Sequence, residues 1–379
     1  MIKVESFFAG NFIKQLEYKS FSPTNIHTTF SWEDSELTRL AEKAALIIGQ
    51  LDAYADLVPN IDRFIRMYVL KEATVSSRIE GTQTNMEEVM LSEKDISPEQ
   101  RNDWCEVNNY ISAINRALAY LGRLPLSSRL LRQAHADLMQ GVRGEHKLPG
   151  EFRSSQNWIG GQNLSQAAFI PPLWQEVNPL MGDLENFLHN PETGLTHLLK
   201  IALAHYQFET IHPFLDGNGR VGRLLITLYL VDQQVLHKPV LYLSDYFDKN
   251  RSYYYDYLTR VRTHHDLTGW LKFFLNGVIE TGQSAIQSLK DILALKKECE
   301  EKRIYGMGKR VGTAKKLLDH LFQQPVLDAE QVSAATGLSL VSSYKILGDF
   351  VKFGLLKETT GYKRNRVYIF DEYFSIFRQ

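Results

Sequence analysis

Cysteine is almost missing from this chain: Cys105 and Cys299 are the only two among 379 residues. Thiols so few and so far apart build neither a disulfide scaffold nor a cysteine metal site, and point to a reducing cytosol. Long apolar runs are missing too; Leu224 to Val231 is short and broken by Thr227 and Tyr229, so no segment reads as a membrane span. The start, Met-Ile-Lys-Val-Glu, lacks the basic and apolar architecture of a secretion signal. Neither sign of charge is in excess: the net value of −1 excludes a chain built as a general nucleic-acid coat. Low-complexity tracts and internal repeats do not occur. The expectation is a cytoplasmic, membrane-free protein, long enough for two domains and a large core.

Helical periodicity fills most of what is there. It runs from Ser35 to Ala55, Ile61 to Ile79, Asp103 to Leu121, Leu126 to Met139, Trp174 to Leu188, Leu195 to Phe208 and Arg220 to Val235. From Trp270 to about Arg303 a long amphipathic helix follows, and Gly306-Met307-Gly308 ends it at a domain boundary. Beyond lie helices at Val311 to Phe322, Asp328 to Thr336 and Leu340 to Phe353. Two short strands, Gly354 to Glu358 and Arg366 to Phe370, then flank Gly361-Tyr362-Lys363-Arg364-Asn365. A helix-turn-helix followed by a basic hairpin resembles a winged-helix domain. Its third helix opens with Ser342, Ser343, Tyr344 and Lys345, and Lys363, Arg364 and Arg366 sit on the wing. Those residues permit DNA binding, but Asp349 and Glu358 dilute the charge, which favours a docking role.

Chemistry concentrates in one stretch, His212-Pro213-Phe214-Leu215-Asp216-Gly217-Asn218-Gly219-Arg220-Val221-Gly222-Arg223. His212 titrates near neutrality, as a general base for a hydroxyl must, and the proline after it biases its backbone to extended geometry at a helix exit. Gly217-Asn218-Gly219 permits positive φ and close backbone approach just before a helix start, whose unpaired N–H groups and dipole seat phosphate. Arg220 and Arg223 share a helix face and can fork onto phosphate oxygens. Asp216 is a hard oxygen ligand suited to magnesium beside phosphates. Taken singly, each of these residues fits an ordinary loop between helices. His197 and His205, upstream of His212, suggest a metal trio, but Pro213 breaks the helix and the three need not share a face. His135, His264 and His265 read as ordinary helix residues.

The stretch resembles the Fic-domain motif, His-Pro-Phe-x-(Asp/Glu)-Gly-Asn-Gly-Arg-x-x-Arg, at every specified position. The resemblance implies a mainly α fold: a Fic helical core with a β-hairpin flap, here joined to the small C-terminal winged-helix unit. It divides the chain into an N-terminal helical region (1–110) carrying an inhibitory helix, a catalytic core (111–303) and the last unit (304–379). It also implies transfer of AMP from ATP to a Ser, Thr or Tyr hydroxyl of a protein target, with Mg2+ as cofactor. His212 would deprotonate the hydroxyl and Asp216 would hold the magnesium. The ATP-binding set would be Glu80, His212, Gly217, Asn218, Gly219, Arg220, Val221, Gly222, Arg223 and Tyr254. Within it, Gly217 to Gly219 would cradle phosphates, with Arg220 supporting them and Arg223 on the γ-phosphate.

Ser76-Ser77-Arg78-Ile79-Glu80-Gly81 is similar to the inhibitory pattern (Ser/Thr)-x-x-x-Glu-(Gly/Asn) of such proteins. A carboxylate on Arg223 would occupy the cation that the γ-phosphate needs. Glu80 reads equally as a helix-end acid with Ser76 as a local cap. Between Pro149 and Pro172 the helical period stops, and Gly160-Gly161 marks the turn of a flap on which an incoming target segment would pair its main chain. Downstream, Tyr254 and Tyr255 resemble the family's adenine wall, with Tyr254 the chosen ring; core packing explains either equally well. Two rivals share the site: hydrolysis of AMP from a modified protein, and a DNA-binding regulator that senses nucleotide. The target, self-modification included, and the oligomeric state, a homodimer included, are left open.

Overall fold

The computed structural model describes residues 1–142, 146–361 and 366–378. Short strands open the chain: β1 (Ile2–Lys3), β2 (Gly10–Lys14), β3 (Lys19–Pro23) and β4 (Phe30–Ser31). β1 pairs parallel with β4, and β2 pairs antiparallel with β3. Helices α1 (Ser35–Leu57), α2 (Asp62–Ile79), α3 (Met86–Val89) and α4 (Arg101–Leu121) follow. Then come α5 (Ser128–Leu138), α6 (Trp174–His189), α7 (His197–Ile211), α8 (Asn218–Asp232), α9 (Ser244–Lys249), α10 (Arg251–His264) and the long α11 (Leu267–Glu298). The expected helices are present within a few residues of their sequence bounds. The strands near the N-terminus, α9 and α10 were not expected.

α7 is the centre of the bundle. Every residue from Leu198 to Ile211 is buried, so this helix is covered on all sides rather than amphipathic. α6, α8 and α11 pack around it. Trp270 on α11 is fully buried and donates its indole N–H to the Ala202 carbonyl at 2.8 Å. Capping sets the boundaries elsewhere: the Asp34 side chain accepts from the Leu37 N–H ahead of α1, and Asp266 accepts from the Gly269 N–H ahead of α11.

The flap expected between Pro149 and Pro172 is held by a single antiparallel bridge, Ile159 with Phe169, around a 3-10 turn at Leu164–Gln166. Gly160 and Gly161 both take positive φ, +69° and +70°. At Gly161 a Cβ would lie 2.3 Å from the Gln166 carbonyl oxygen, so the turn needs glycine there.

The C-terminal unit comprises α12 (Val311–Leu321), β5 (Val326–Leu327), α13 (Ala329–Thr336), α14 (Leu340–Lys352), β6 (Lys357–Glu358), β7 (Tyr368–Ile369) and α15 (Asp371–Arg378). Its sheet order is β5-β7-β6, antiparallel throughout. β5 and α15 were not expected, and the wing residues Lys363 and Arg364 lie outside the described residues. The unit packs on α2 through aromatic rings. Phe64 meets Phe322 edge-on at 5.6 Å, and Tyr68 meets Phe377 edge-on at 5.2 Å.

Candidate functional site

The motif occupies the corner between α7 and α8. His212 caps α7, and its N–H donates to the Phe208 carbonyl at 2.9 Å. It does not take the extended backbone expected before proline. Its φ of 51° and ψ of 61° place it in the left-handed region, because a helix C-cap requires that turn and the surroundings fix it. Its carbonyl accepts from Arg153 Nε at 2.9 Å and Asn157 Nδ2 at 3.3 Å. Burial, with the Arg153 charge nearby, pushes the imidazole down to about 4. At neutral pH it is therefore uncharged and able to accept a proton. Its Nδ1 is buried without a partner among the described residues.

Gly217 follows with φ +72° and ends the loop as the N-cap of α8. A Cβ there would lie 3.1 Å from Met139 Sδ. The first amides of α8, from Asn218 onward, have no i−4 carbonyl inside the helix and form an anion seat. The Asn218 side chain is not part of that seat. Its Oδ1 accepts from the Phe214 N–H at 2.8 Å and its Nδ2 donates to the Phe214 carbonyl at 2.8 Å, locking the loop closed. Val221 is buried in the core. Gly222 faces α7, where a Cβ would meet Glu209 Oε1 at 2.2 Å. The side-chain positions of these two are taken up by helix packing.

Both motif arginines are buried. Arg220 Nη1 donates to Glu106 Oε2 at 3.1 Å, with Asp216 4.0 Å from Nη2. Arg223 Nε donates to Ser76 Oγ at 2.8 Å, and its Nη2 donates to the Ser76 carbonyl at 2.9 Å and to Glu80 Oε1 at 2.6 Å. Glu80 thus reaches Arg223 from the end of α2. A Cβ on Gly219 would meet Glu80 Oε1 at 2.2 Å, so the carboxylate also lies on the helix start. Burial alone would raise the Glu80 carboxyl, but Arg223, then Arg220 and His212, pull it below the usual carboxylate range. Burial would likewise lower Arg223, and the surrounding groups, Glu80 foremost, hold it above its ordinary value.

Asp216 is about half exposed. One of its carboxylate oxygens accepts from the Gly217 N–H at 2.6 Å. A single half-exposed carboxylate beside an anion seat fits a hard divalent cation that completes its shell with phosphate and water oxygens.

Tyr254 is not at the surface of the site. Its ring is buried against Phe247 at 4.5 Å, and its hydroxyl donates to His205 Nε2 at 2.9 Å. Helix phase turns it into the core and leaves the neighbouring Tyr255 at 42 % exposure, where its hydroxyl feels the Glu80 charge. The three histidines are separated in the same way. His197 bonds the Tyr229 hydroxyl at 3.0 Å, and His205 donates through Nδ1 to the Gly222 carbonyl at 2.9 Å. Neither shares a ligand sphere with His212.

Two further residues hold the corner and a third, Glu209, lies buried beside it, none of them singled out for this in the sequence. His135, read there as an ordinary helix residue, stacks on Phe214 at 3.8 Å. Its Nδ1 accepts from the Gly150 N–H at 2.8 Å, so its Nε2–H donates to the Asp216 carbonyl at 3.0 Å and ties the base of the flap to the loop. Burial pushes it down to about 4, consistent with that neutral tautomer. Arg153 joins flap to motif by donating to His212, Pro172 and Ile211 carbonyls. Glu209, one turn before His212, is pushed up to about 7 by burial. A long-range contact leaves no local pattern, and the only available signal was the presence of ionisable residues inside apolar helical runs.

Comparison with known proteins places the same two regions together. Residues 38–119 match the Fic/DOC family N-terminal model and residues 125–230 match the Fic/DOC family model, so Glu80 falls in one and the motif in the other. The protein adenylyltransferase Fic of Aedes aegypti is 34% identical over 140 residues, covering 37% of this chain and 24% of that protein. Its namesake in Culex quinquefasciatus gives the same identity and coverage. The chain thus spans about a quarter of the length of the curated relatives it matches. A Fic family protein from Desulfovibrio desulfuricans, solved by crystallography, shares the fold with a TM-score of 0.56 over 89% of this chain and 96% of that one, at 22% identity.

Proposed function

Because the chain belongs to the Fic/DOC family, we propose that it is a protein adenylyltransferase restrained by its own Glu80. The observation that carries the reading is the 2.6 Å contact between Glu80 and Arg223 across the start of α8. An acid on the last motif arginine and against Gly219 stands where a triphosphate tail would bind.

In the reaction, a target hydroxyl approaches His212, which takes its proton. The oxygen attacks the α-phosphorus of ATP, and pyrophosphate leaves. The α8 amides and the two arginines stabilise charge on the transferring group, the dominant effect in such chemistry. Magnesium on Asp216 would neutralise phosphate charge when bound. Tyr255, open where Tyr254 is not, is the better ring for the purine. With Glu80 in place ATP can bind, but its phosphates are held out of line, and catalysis depends on geometry.

The targets are proteins bearing Ser, Thr or Tyr hydroxyls and presented along the flap, where the Ile159–Phe169 bridge offers an edge. We place three units at residues 1–110, 111–303 and 304–379. The helix order and the β5-β7-β6 sheet support a winged helix in the last of these. The exposed apolar side chains Leu340, Val341 and Tyr344 on α14 favour protein docking over DNA. No described helix is long and apolar enough to cross a membrane, and the free cysteines suit the cytosol. Incubation with ATP labelled at the α-phosphorus, and in parallel at the γ-phosphorus, tests the reaction. Only α-label should enter protein, and transfer of γ-label alone would make the chain a kinase instead.

A further inference from the structure

Four consecutive carbonyls run through the base, those of Ile211, His212, Pro213 and Phe214, and the foot of the flap donates to every one. Arg153 Nη2 donates to the Ile211 carbonyl at 3.3 Å and Nε to that of His212 at 2.9 Å. The Arg153 main-chain N–H donates to the Pro213 carbonyl at 2.8 Å. Asn157 Nδ2 donates to the carbonyls of His212 at 3.3 Å and Phe214 at 2.9 Å. Both side chains are buried. Arg153 also grips the far arm of the flap, through the Pro172 carbonyl at 2.6 Å. Burial pulls its guanidinium down to about 10, which leaves it charged at neutral pH, and hydrogen bonds from a charged donor are the strong ones. The planar fork of arginine spans several acceptors at once, as the single ammonium of lysine does not.

These bonds fall on a residue that needs holding. His212 is not glycine, yet it sits at φ 51° and ψ 61°, a conformation that persists only where the surroundings over-determine it. Pro213 favours the extended alternative. A catalytic base is commonly aimed by a third group on its second ring nitrogen. The Nδ1 of His212 has no partner among the described residues, so the direction of the imidazole depends on its packing and on the main chain that carries it. We propose that Arg153, assisted by Asn157, is the positioning residue of the base: it holds the main chain of His212 in the left-handed turn and ties the imidazole to the foot of the flap. Its bearing on catalysis rests on the function proposed above; its hold on the turn does not.

The test uses the full chain carrying Glu80→Gly, with ATP labelled at the α-phosphorus. Arg153→Lys keeps the charge but not the fork, and the limiting rate of labelling should fall about tenfold or more. Asn157→Ala, which leaves the arginine in place, should lose about threefold. The ATP concentration giving half the limiting rate should stay within about twofold of the parent, because α8 and not the flap seats the phosphates. Calorimetry should count the same number of ATP sites per chain, so that lost rate is not lost fold. Hydrogen–deuterium exchange gives a readout without catalysis: in Arg153→Lys the peptide spanning 209–216 should exchange about tenfold faster while α4 and α11 keep their rates. An unchanged limiting rate in both variants, a half-saturating concentration that rises in step with the lost rate, or unaltered exchange across 209–216 would each overturn the proposal. No labelling by the Glu80→Gly parent would instead sink the adenylyltransferase reading, and exchange alone would then decide whether Arg153 holds the turn.

Discussion

Glu80→Gly removes the acid from Arg223 while leaving that arginine its two contacts to Ser76, at 2.8 and 2.9 Å. The cation therefore stays in place and only its competitor is lost. A hydrogen bond to a charged group contributes about 1.5–3 kcal/mol, and an exposed ion pair about 0–1 kcal/mol. Arg223 is buried, but the Glu80 side chain is 33 % exposed, which argues for about 2 kcal/mol, near the low end of the buried range. Removing that competitor should raise the productive seating of ATP, and with it transfer, about 30-fold. The assay is incorporation of α-labelled ATP into the chain itself or into added protein, at ATP below saturation. Glu80→Gln keeps an acceptor without the charge, so its rise should be smaller, a few-fold. Labelling in Glu80→Gly no higher than in wild type, with ATP binding intact, would refute the reasoning. So would Glu80→Gln labelling above Glu80→Gly.

His212→Ala should abolish labelling in either background, with ATP binding measured by calorimetry retained. Gly219→Ala places a Cβ 2.2 Å from Glu80 Oε1 and 2.9 Å from Arg223 Nη1. It should weaken both the acid contact and ATP binding, and unlike Glu80→Gly it should not raise labelling. Glu209→Gln addresses pH. A buried acid raised to about 7 binds a proton in the folded state that the unfolded chain has already released, so stability falls as pH rises through about 7 and is fully present below the unfolded value. Urea unfolding across pH 5 to 8 should show the wild type losing stability by at most about 1.4 kcal/mol per pH unit relative to the variant; parallel curves would refute it. His135→Phe retains stacking on Phe214 but leaves the Gly150 N–H and the Asp216 carbonyl unmet. Labelling in the Glu80→Gly background should fall about tenfold with a far-ultraviolet circular dichroism spectrum unchanged. Phe322→Ala, at a residue 1 % exposed that meets both Phe64 and Tyr373 edge-on, should cost about 3–5 kcal/mol in urea unfolding.

What the sequence by itself determined is whatever short-range physics encodes. Apolar residues at helical spacing located α1, α2, α4 to α8 and α11 to within a few residues, most of them because a helix buries one face at fixed intervals and α7 because it is buried all round. The motif from His212 to Arg223 was legible because loop, anion seat and arginine pair are built from adjacent residues. β1, β4 and β5, two residues each, were too short to carry a period. Only the tertiary structure decided the rest. It brings Glu80 onto Arg223 across 143 positions, rotates Tyr254 into the core while exposing Tyr255, and gives His135 and Arg153 their hold on the flap and loop. It also turned His212 left-handed against the bias of the proline that follows. The reason is common to all of these: a partner distant in the chain, brought close by packing around α7, outweighs the local preference of the residue that meets it.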